Sequence, residues 1–335
     1  MKVLVAGGGG FIGGHLVRRL RQLGYANIRA VDIKPVEAWQ QRDPASENVS
    51  ADLRLRDACQ EVMAGVDFVF NLAADMGGMG FIESHKADCM LSVLINTHLL
   101  VAARDHDVER YFFASTACVY PQSRQSEPDV AGLRETDAYP ADPEDGYGWE
   151  KLFSERMCRH FSEDFAVDTR VARYHNVYGP HGTWDGGREK APAAICRKIA
   201  VAKLTGVHEI EVWGDGHQTR SFQFIDDCIE GTRRLMASDV RAPVNIGSSE
   251  AVSIEEMIRL VEDIAGIRVV RHHDLNAPQG VRGRTSDNRF VLEQLGWEPT
   301  TPLADGLRRT YEWIEQQVLA GSDGRGRRQE DPGER

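Results

Sequence analysis

The chain of 335 residues is 41% hydrophobic and 27% charged, with a formal net charge of -11 at pH 7. Those proportions belong to a soluble globular protein of one or two domains, and they exclude a disordered or fibrous one. The acidic balance argues against nucleic acid or an anionic membrane as partner, and no run approaches the roughly 20 uninterrupted apolar residues of a membrane helix.

MKVLVA predicts a first strand, GGGGFIGG a glycine turn, and HLVRRLRQL a helix whose apolar residues recur at helical spacing. The N-terminus therefore opens on a strand, with no basic stretch and cleavage site before it, and a cytoplasmic protein is expected. Further strands are predicted over IRAVDI, ending at Asp32, near Asn48–Ala51, and over VDFVFNLAA and RYFFASTACVY, with a helix over LSVLINTHLLVAARDH between the last two. Alternating strands and helices imply an α/β fold, a Rossmann-type doubly wound parallel sheet with helices on both faces. From Tyr147 a helix carries LFSERMCRHF, and TRVARYHNVYG reads as another strand. Beyond Gly179, glycine- and proline-containing loops interrupt helical pieces, as in a smaller C-terminal substrate-binding lobe. Residues 1–179 are thus expected to form the first domain, with a strand and helix around 221–248 returning to it. Residues 180–318 make up most of the second lobe, and residues 320–335, with almost nothing to bury, are expected to be a disordered tail. The six cysteines, at 59, 89, 118, 158, 196 and 228, contain no C-x-x-C, so they read as reduced thiols, with no metal site. His272 and His273 read as surface residues.

Gly7, Gly10 and Gly13 form GxxGxxG between a strand and a helix, where missing side chains let backbone N–H groups and the helix N-terminus approach a pyrophosphate. Asp32 lies about 20 residues on, at the end of the second strand, where a carboxylate accepts from both ribose hydroxyls. An aspartate there repels a 2′-phosphate, so NAD is favoured, with Lys34 and Arg42 leaving NADP open. Asp52 and Leu53, after the third strand, are expected by the adenine, with a solvated turn acid as the other reading of Asp52. Phe11, Ile12 and Ala73 complete the expected cofactor contacts together with Tyr147 and Lys151.

Tyr147 and Lys151 stand at i and i+4 of one helix, so both side chains share a face. A neighbouring ammonium lowers a phenol pKa from about 10 toward neutrality, which lets the tyrosine take a proton from a substrate hydroxyl. Ser115 and Thr116, at the end of the fifth strand, are placed to hydrogen-bond the same hydroxyl. With these motifs the chain resembles the extended short-chain dehydrogenase/reductase family, the NAD-dependent epimerases and dehydratases, which act mostly on nucleotide sugars.

The segments NLAADMGGMGF, ASTACVYP, DGYGWEK, RYHNVYGPHGTWDGGREKAPAAICRK, WGDGHQTRSFQFIDD, PVNIGS and VRGRTSDN are similar, in order, to the branch of that family that inverts carbons 3 and 5 of GDP-mannose. That resemblance implies epimerisation to GDP-L-galactose, with GDP-L-gulose as by-product, by transient oxidation at carbon 4 with NAD. Tyr147, Lys151 and Thr116 then serve the redox step, and Cys118 and Lys190 match the acid/base pair. Read alone, Cys118 is a small buried apolar residue and Lys190 a solvated loop charge. The resemblance further implies that Lys198, Arg220 and Arg284 bind the diphosphate. It adds Gly77, Ala117, Asn176, Glu189, Ala191, Gln218 and Thr219 as substrate contacts. Trp184 and Trp213 read as core, with packing near a base as the alternative. Leu152, Phe153, Met157 and Phe161 supply either an apolar stripe for the four-helix dimer of relatives or packing against the chain's own sheet. Other readings are inversion at carbon 5 alone, a 4-epimerase or 4,6-dehydratase, and, from another class, a non-catalytic NAD-binding redox sensor.

Overall fold

The computed structural model describes residues 1–326. The chain begins β1 (Lys2–Ala6), α1 (Phe11–Gln22), β2 (Asn27–Asp32), β3 (Glu47–Ser50), α2 (Arg56–Met63) and β4 (Phe68–Asn71). There follow α3 (Met79–Ser84), α4 (Lys86–Met90), α5 (Ser92–Asp105), β5 (Arg110–Thr116), α6 (Tyr147–Phe165), β6 (Thr169–Tyr174) and β7 (Val177–Tyr178). The second half runs α7 (Ala191–Thr205), β8 (Glu209–Trp213), β9 (Thr219–Ser221), β10 (Gln223–Phe224), α8 (Ile225–Ala237), β11 (Val244–Ile246) and β12 (Ala251–Ser253). It closes with α9 (Ile254–Ala265), β13 (Val270–Asp274), β14 (Gly283–Arg284), α10 (Arg289–Leu295) and α11 (Leu303–Gly326).

Seven parallel strands form the main sheet in the order β11-β6-β5-β4-β1-β2-β3. Side chains alternate between its faces, and both faces are covered. Val3, Val5, Phe70 and Phe112 enter one apolar core, and Leu4, Ala6, Val69, Tyr111 and Phe113 enter the other. This double burial is why the strands read as continuous apolar runs. Residues 221–248 contribute α8 and β11 to this body, with β11 beside β6 at the sheet edge. The second lobe is built on α7, α9 and α11 with three small sheets, and its core is continuous with the first of the two above.

α11 continues to Gly326, so residues 320–326, expected to be disordered, are helical, an extension of the apolar helix that packs on α7. The rest of the expected tail lies outside the described residues. The stretch Lys86–Asp105 is 20 residues long with a mean hydropathy of 1.2, long and apolar enough to cross a membrane. Here it is α4 and α5, and Leu99, Leu100, Ala102 and Ala103 enter the second core.

α6 is anchored by an ion pair that nothing in its own sequence announces. Glu155 accepts from Arg173 Nε at 2.9 Å, from Arg173 Nη2 at 2.7 Å and from Ser115 Oγ at 2.5 Å, all buried. Breaking a buried pair strands the remaining charge. Glu155→Ala is therefore expected to lose about 3–5 kcal/mol of stability in a urea titration, and a loss under about 1 kcal/mol, the scale of an exposed pair, would contradict this account.

Candidate functional site

The turn between β1 and α1 leaves no room for side chains. Gly7 has φ of +82°, and a Cβ on Gly13 would stand 2.0 Å from Gly7 O. The N-terminus of α1 consequently opens into a cavity of about 690 Å³. Gly7, Gly10, Phe11, Ile12, Gly13, Asp32, Asp52, Leu53, Ala73, Tyr147 and Lys151 all line it. A backbone cradle without Cβ atoms at a helix N-terminus, faced by a carboxylate, fits a dinucleotide. Asp32 accepts from Lys34 N at 3.1 Å. Asp52 is held differently: Arg54 meets its carboxylate through Nε at 2.9 Å and Nη2 at 2.7 Å and keeps it below the usual carboxylate range. Lys34 lines the cavity; Arg42 is not among the lining residues.

Thr116 ends β5, and its Oγ1 accepts from Cys118 N at 3.2 Å. α6 starts hard against this strand end, since a Cβ on Gly148 would be 2.4 Å from Cys118 O. That close approach sets Tyr147 beside Thr116, and both border the cavity with Lys151. The structure corrects two expectations here. Ser115 does not offer its hydroxyl to a substrate, because it is committed to Glu155. The Tyr147 phenol is not lowered toward neutrality but pushed well above its ordinary value, by burial and then by the neighbouring Cys118 and Glu150. Lys151 Nζ lies 3.7 Å from Glu150 Oε2 and 5.7 Å from the centre of the Tyr147 ring, so its charge is shared with a carboxylate.

Lys190 caps the N-terminus of α7 and lines the same cavity. Burial lowers its pKa from the ordinary lysine value, and the neighbouring Arg284 acts in the same direction. Cys118 goes the other way. Burial, then the charge of Glu144, pushes its thiol up to about 11, and Arg284 Nη1, 3.5 Å from Sγ, offsets this only in part. The expectation that cationic neighbours activate the thiol is therefore not met, because Arg284 and Lys190 are outweighed by burial and Glu144.

The loop that carries Lys190 is fastened to the turn after β4. Gly78 N donates to Arg188 O at 3.0 Å, Arg188 Nη1 pairs with Asp75 at 2.7 Å, and the guanidinium lies 3.7 Å from the centre of the Phe81 ring. Gly77, Asp75 and Arg188 line the cavity. Glu189 holds the loop itself, accepting from Gly187 N at 2.7 Å and Arg197 Nη2 at 2.9 Å. Ala191 opens α7 behind Lys190, and Ala117 follows Thr116 as a buried residue.

The other expected substrate residues gather in the second lobe, outside the lining of that cavity. Arg284 is buried, donates to Gln125 Oε1 at 2.5 Å, and leaves Nη2 without a hydrogen-bond partner, 3.6 Å from Glu144 Oε2. Arg220 donates to the carbonyls of Thr219, Gln279 and Val281. Burial and the charge of Arg284 lower its pKa to about 9. A buried and a half-buried guanidinium that repel each other favour an anion near them. Thr219 Oγ1 is taken by Pro128 O. Asn176 Nδ2 donates to Ser221 O at 3.1 Å. Lys198 Nζ donates to Glu211 O at 2.6 Å, so it is not free for phosphate in this arrangement. Gln218 Oε1, Ser221 Oγ, both side-chain polar atoms of Gln223 and Glu144 Oε2 are buried without partners. Ser221 and Gln223 lie within the WGDGHQTRSFQFIDD segment, but nothing in their own spacing marks them, and Glu144 precedes DGYGWEK in no motif of its own. Trp213, expected in the core, is 43% exposed, because β8 turns its odd-numbered residues outward. Trp184 is partly buried against the core.

Residues 3–247 match the model of the NAD dependent epimerase/dehydratase family. GDP-mannose 3,5-epimerase 1 of Oryza sativa subsp. japonica is 50% identical over 95% of this chain and 82% of that protein. The UDP-glucuronic acid 4-epimerase of Bacillus cereus, solved in complex with UDP-glucuronic acid and NAD, superposes with a TM-score of 0.81 at 26% identity, over 95% of this chain and 100% of that chain. The UDP-glucose 4-epimerase of Thermotoga maritima, with UDP-glucose, gives a TM-score of 0.85 at 24% identity, over 95% and 100% of the two chains.

A thiol titrating near 11 is almost wholly protonated at neutral pH, so its thiolate fraction is about two orders of magnitude below that of an ordinary cysteine. Iodoacetamide labelling at pH 7.5, mapped by peptide mass, is expected to be slow at Cys118 in the native protein and to accelerate as pH approaches 11. Labelling at the rate of a free thiol would refute the assignment.

Proposed function

The chain belongs to the NAD dependent epimerase/dehydratase family, and we propose that it inverts carbons 3 and 5 of GDP-mannose through transient oxidation at carbon 4. The observation that carries this reading is one site that joins a dinucleotide-fitting cavity, the Thr116–Tyr147–Lys151 group and the Lys190 amine, with the Cys118 thiol near enough to act on the charge of Lys190. Half of the residues being identical to the rice enzyme across nearly the whole chain supports the choice of substrate.

NAD, the cofactor of this family, supplies a reversible hydride acceptor when bound. Thr116 orients the carbon-4 hydroxyl, and Tyr147 takes its proton as the phenolate in the oxidation and returns it from the phenol in the reduction. The high pKa of the Tyr147 phenol suits the return step, in which the ketone at carbon 4 must be given a proton. That ketone makes the hydrogens on carbons 3 and 5 acidic, because the carbanion formed there delocalises into an enolate. Inversion then needs a proton removed from one face and another delivered to the opposite face. Lys190, with its lowered pKa, is the better acceptor, and Cys118, protonated up to about pH 11, is the donor. The carbonyl returns to an alcohol at the end, so no net redox change occurs. Arg220 and Arg284 supply positive charge for the diphosphate.

The same reading extends to a homodimer. α5 and α6 pack side by side, and Leu94, Trp149 and Phe153 on them, with Leu91 just before α5, are each more than a third exposed. Of the four residues weighed from the sequence, Leu152 is buried and Met157 and Phe161 pack on the chain's own core. Phe153, with Trp149, is what this face offers to a second copy.

With GDP-mannose in deuterated water, label is expected by NMR at carbons 3 and 5; label at carbon 5 alone, or at neither, would sink the proposal. Tyr147→Phe is expected to slow oxidation about a hundredfold or more, and Lys190→Met to abolish exchange while GDP-mannose still binds. The sign of the pH dependence follows from the acceptor role. Lys190 works deprotonated, so exchange falls as pH drops below its lowered pKa, and the Cys118 donor is lost only above about 11. Exchange that rises steadily as pH falls from 9 to 6 would reverse the two roles.

A further inference from the structure

Two side chains expected to hold substrate converge on β8. Lys198 Nζ donates to Glu211 O at 2.6 Å, and Gln218 Nε2 to Trp213 O at 2.9 Å. Ile210 and Val212 of this strand are buried, and Glu209, Glu211 and Trp213 face outward. The indole Nε1 of Trp213 donates to Glu211 Oε1 at 2.7 Å, so an aromatic plate and a carboxylate are held as one unit. The Glu211 side chain is 58% exposed; its Oε1 takes this hydrogen bond and stands 3.9 Å from Lys198 Nζ, and among the described residues its Oε2 has no hydrogen bond. The far edge of the indole lies against Gly80, where a Cβ would stand 3.3 Å from the ring. The plate thus continues the turn whose Gly77 lines the cavity. Beside it, Gln218 is buried with Oε1 unpartnered.

Spacing along α7 links this unit to the reacting carbons. Lys190 caps the helix, and Lys198, bonded to β8, lies eight residues further along, about 12 Å at 1.5 Å per residue. A ribose and a diphosphate separate a sugar ring from its base by a distance of that order. The place is therefore right for the base, and its chemistry is selective. Among the common bases, only guanine presents two adjacent N–H donors, at N1 and the 2-amino group, which a carboxylate accepts with both oxygens. A flat indole face suits any base, so Trp213 adds affinity, and the carboxylate chooses.

We propose that Glu211 selects the guanine of the nucleotide sugar, accepting both N–H groups of its edge while the base lies against Trp213. The inference rests on the nucleotide-sugar reading above and names the part of the substrate which that reading leaves without a partner.

The test compares GDP with inosine diphosphate, which lacks the 2-amino group, by calorimetric titration of the wild-type holoenzyme and of Glu211→Gln. The wild type is expected to bind GDP about ten- to hundredfold more tightly than inosine diphosphate, and the variant to bring the two within about threefold by weakening GDP. With GDP-mannose the variant is expected to raise KM by a similar factor and to hold kcat within about threefold, because the base makes the same contact in ground and transition states. Equal affinities in the wild type, unchanged GDP affinity in the variant, or a fall in kcat at constant KM overturns the assignment. Glu211 is exposed and glutamine has its shape, so a folding defect is not expected; Glu211→Asp, which keeps the charge, should recover part of the GDP preference. A wild type that selects GDP but leaves the hydrogens of GDP-mannose unexchanged would refute the proposed reaction and leave this assignment standing.

Discussion

A carboxylate and a guanidinium inside the protein hold the reactive helix in place. Glu155 and Arg173 meet through two hydrogen bonds, and Ser115 adds a third from the neighbouring strand. Three elements, β5, β6 and α6, are fixed by this one cluster. Charges removed from water must be paired with good geometry or they destabilise the fold, so the cluster tolerates little sliding of helix against sheet. Tyr147 and Lys151 lie one to two turns up the same helix, and Thr116 is the residue after Ser115 on the same strand. The distance between phenol and threonine hydroxyl is thus set by a contact that no substrate touches. Gly148, pressed against Cys118 O, closes the other end of the same constraint.

Electrostatics then divides labour among three neighbouring groups, of which Tyr147 and Lys190 line the cavity. Burial acts on Tyr147, Cys118 and Lys190 together, but it penalises the charged form in each case, so it raises the phenol and thiol and lowers the amine. The outcome favours the protonated phenol, the protonated thiol and the neutral amine, without a strong local ion pair on any of them. Arg284 stands beside the thiol and beside Glu144, whose charge acts on the thiol in the opposite direction. The same arginine therefore moderates the thiol and, with Arg220, leaves positive charge for a phosphate.

What could be read from the chain beforehand was local in sequence. The glycine turn, Asp32, and the Tyr147–Lys151 pair are each fixed by spacing within a single strand-turn-helix unit, and the structure brings them to one cavity. The parallel sheet was legible for the same reason, since strands buried on both faces leave continuous apolar runs. Ser115, by contrast, looked like a substrate ligand because its partner Glu155 is 40 residues away. The Tyr147 and Cys118 shifts run against the sequence expectation for a related reason: helix spacing reveals a neighbouring lysine but not the burial that outweighs it, nor Glu150 sharing its charge. Trp213 reads as core in isolation, and only the alternation along β8, with Ile210 and Val212 buried, places it on the outer face. The helical continuation through residues 320–326 was missed because those residues bring little apolar area of their own; they extend a helix already docked on α7.

The apolar core that begins at Val3 and Val5 under the main sheet runs without a break through Ile195 and Met257 to Ile314 in the second lobe. Two bodies that share one interior cannot swing apart like the halves of a shell, because any opening would wet that seam. Ligand traffic must therefore be handled by surface segments, such as the loop that the exposed Arg188–Asp75 pair fastens to the turn after β4. It follows too that heating should melt both lobes in a single endotherm, and that neither would survive being cut from the other.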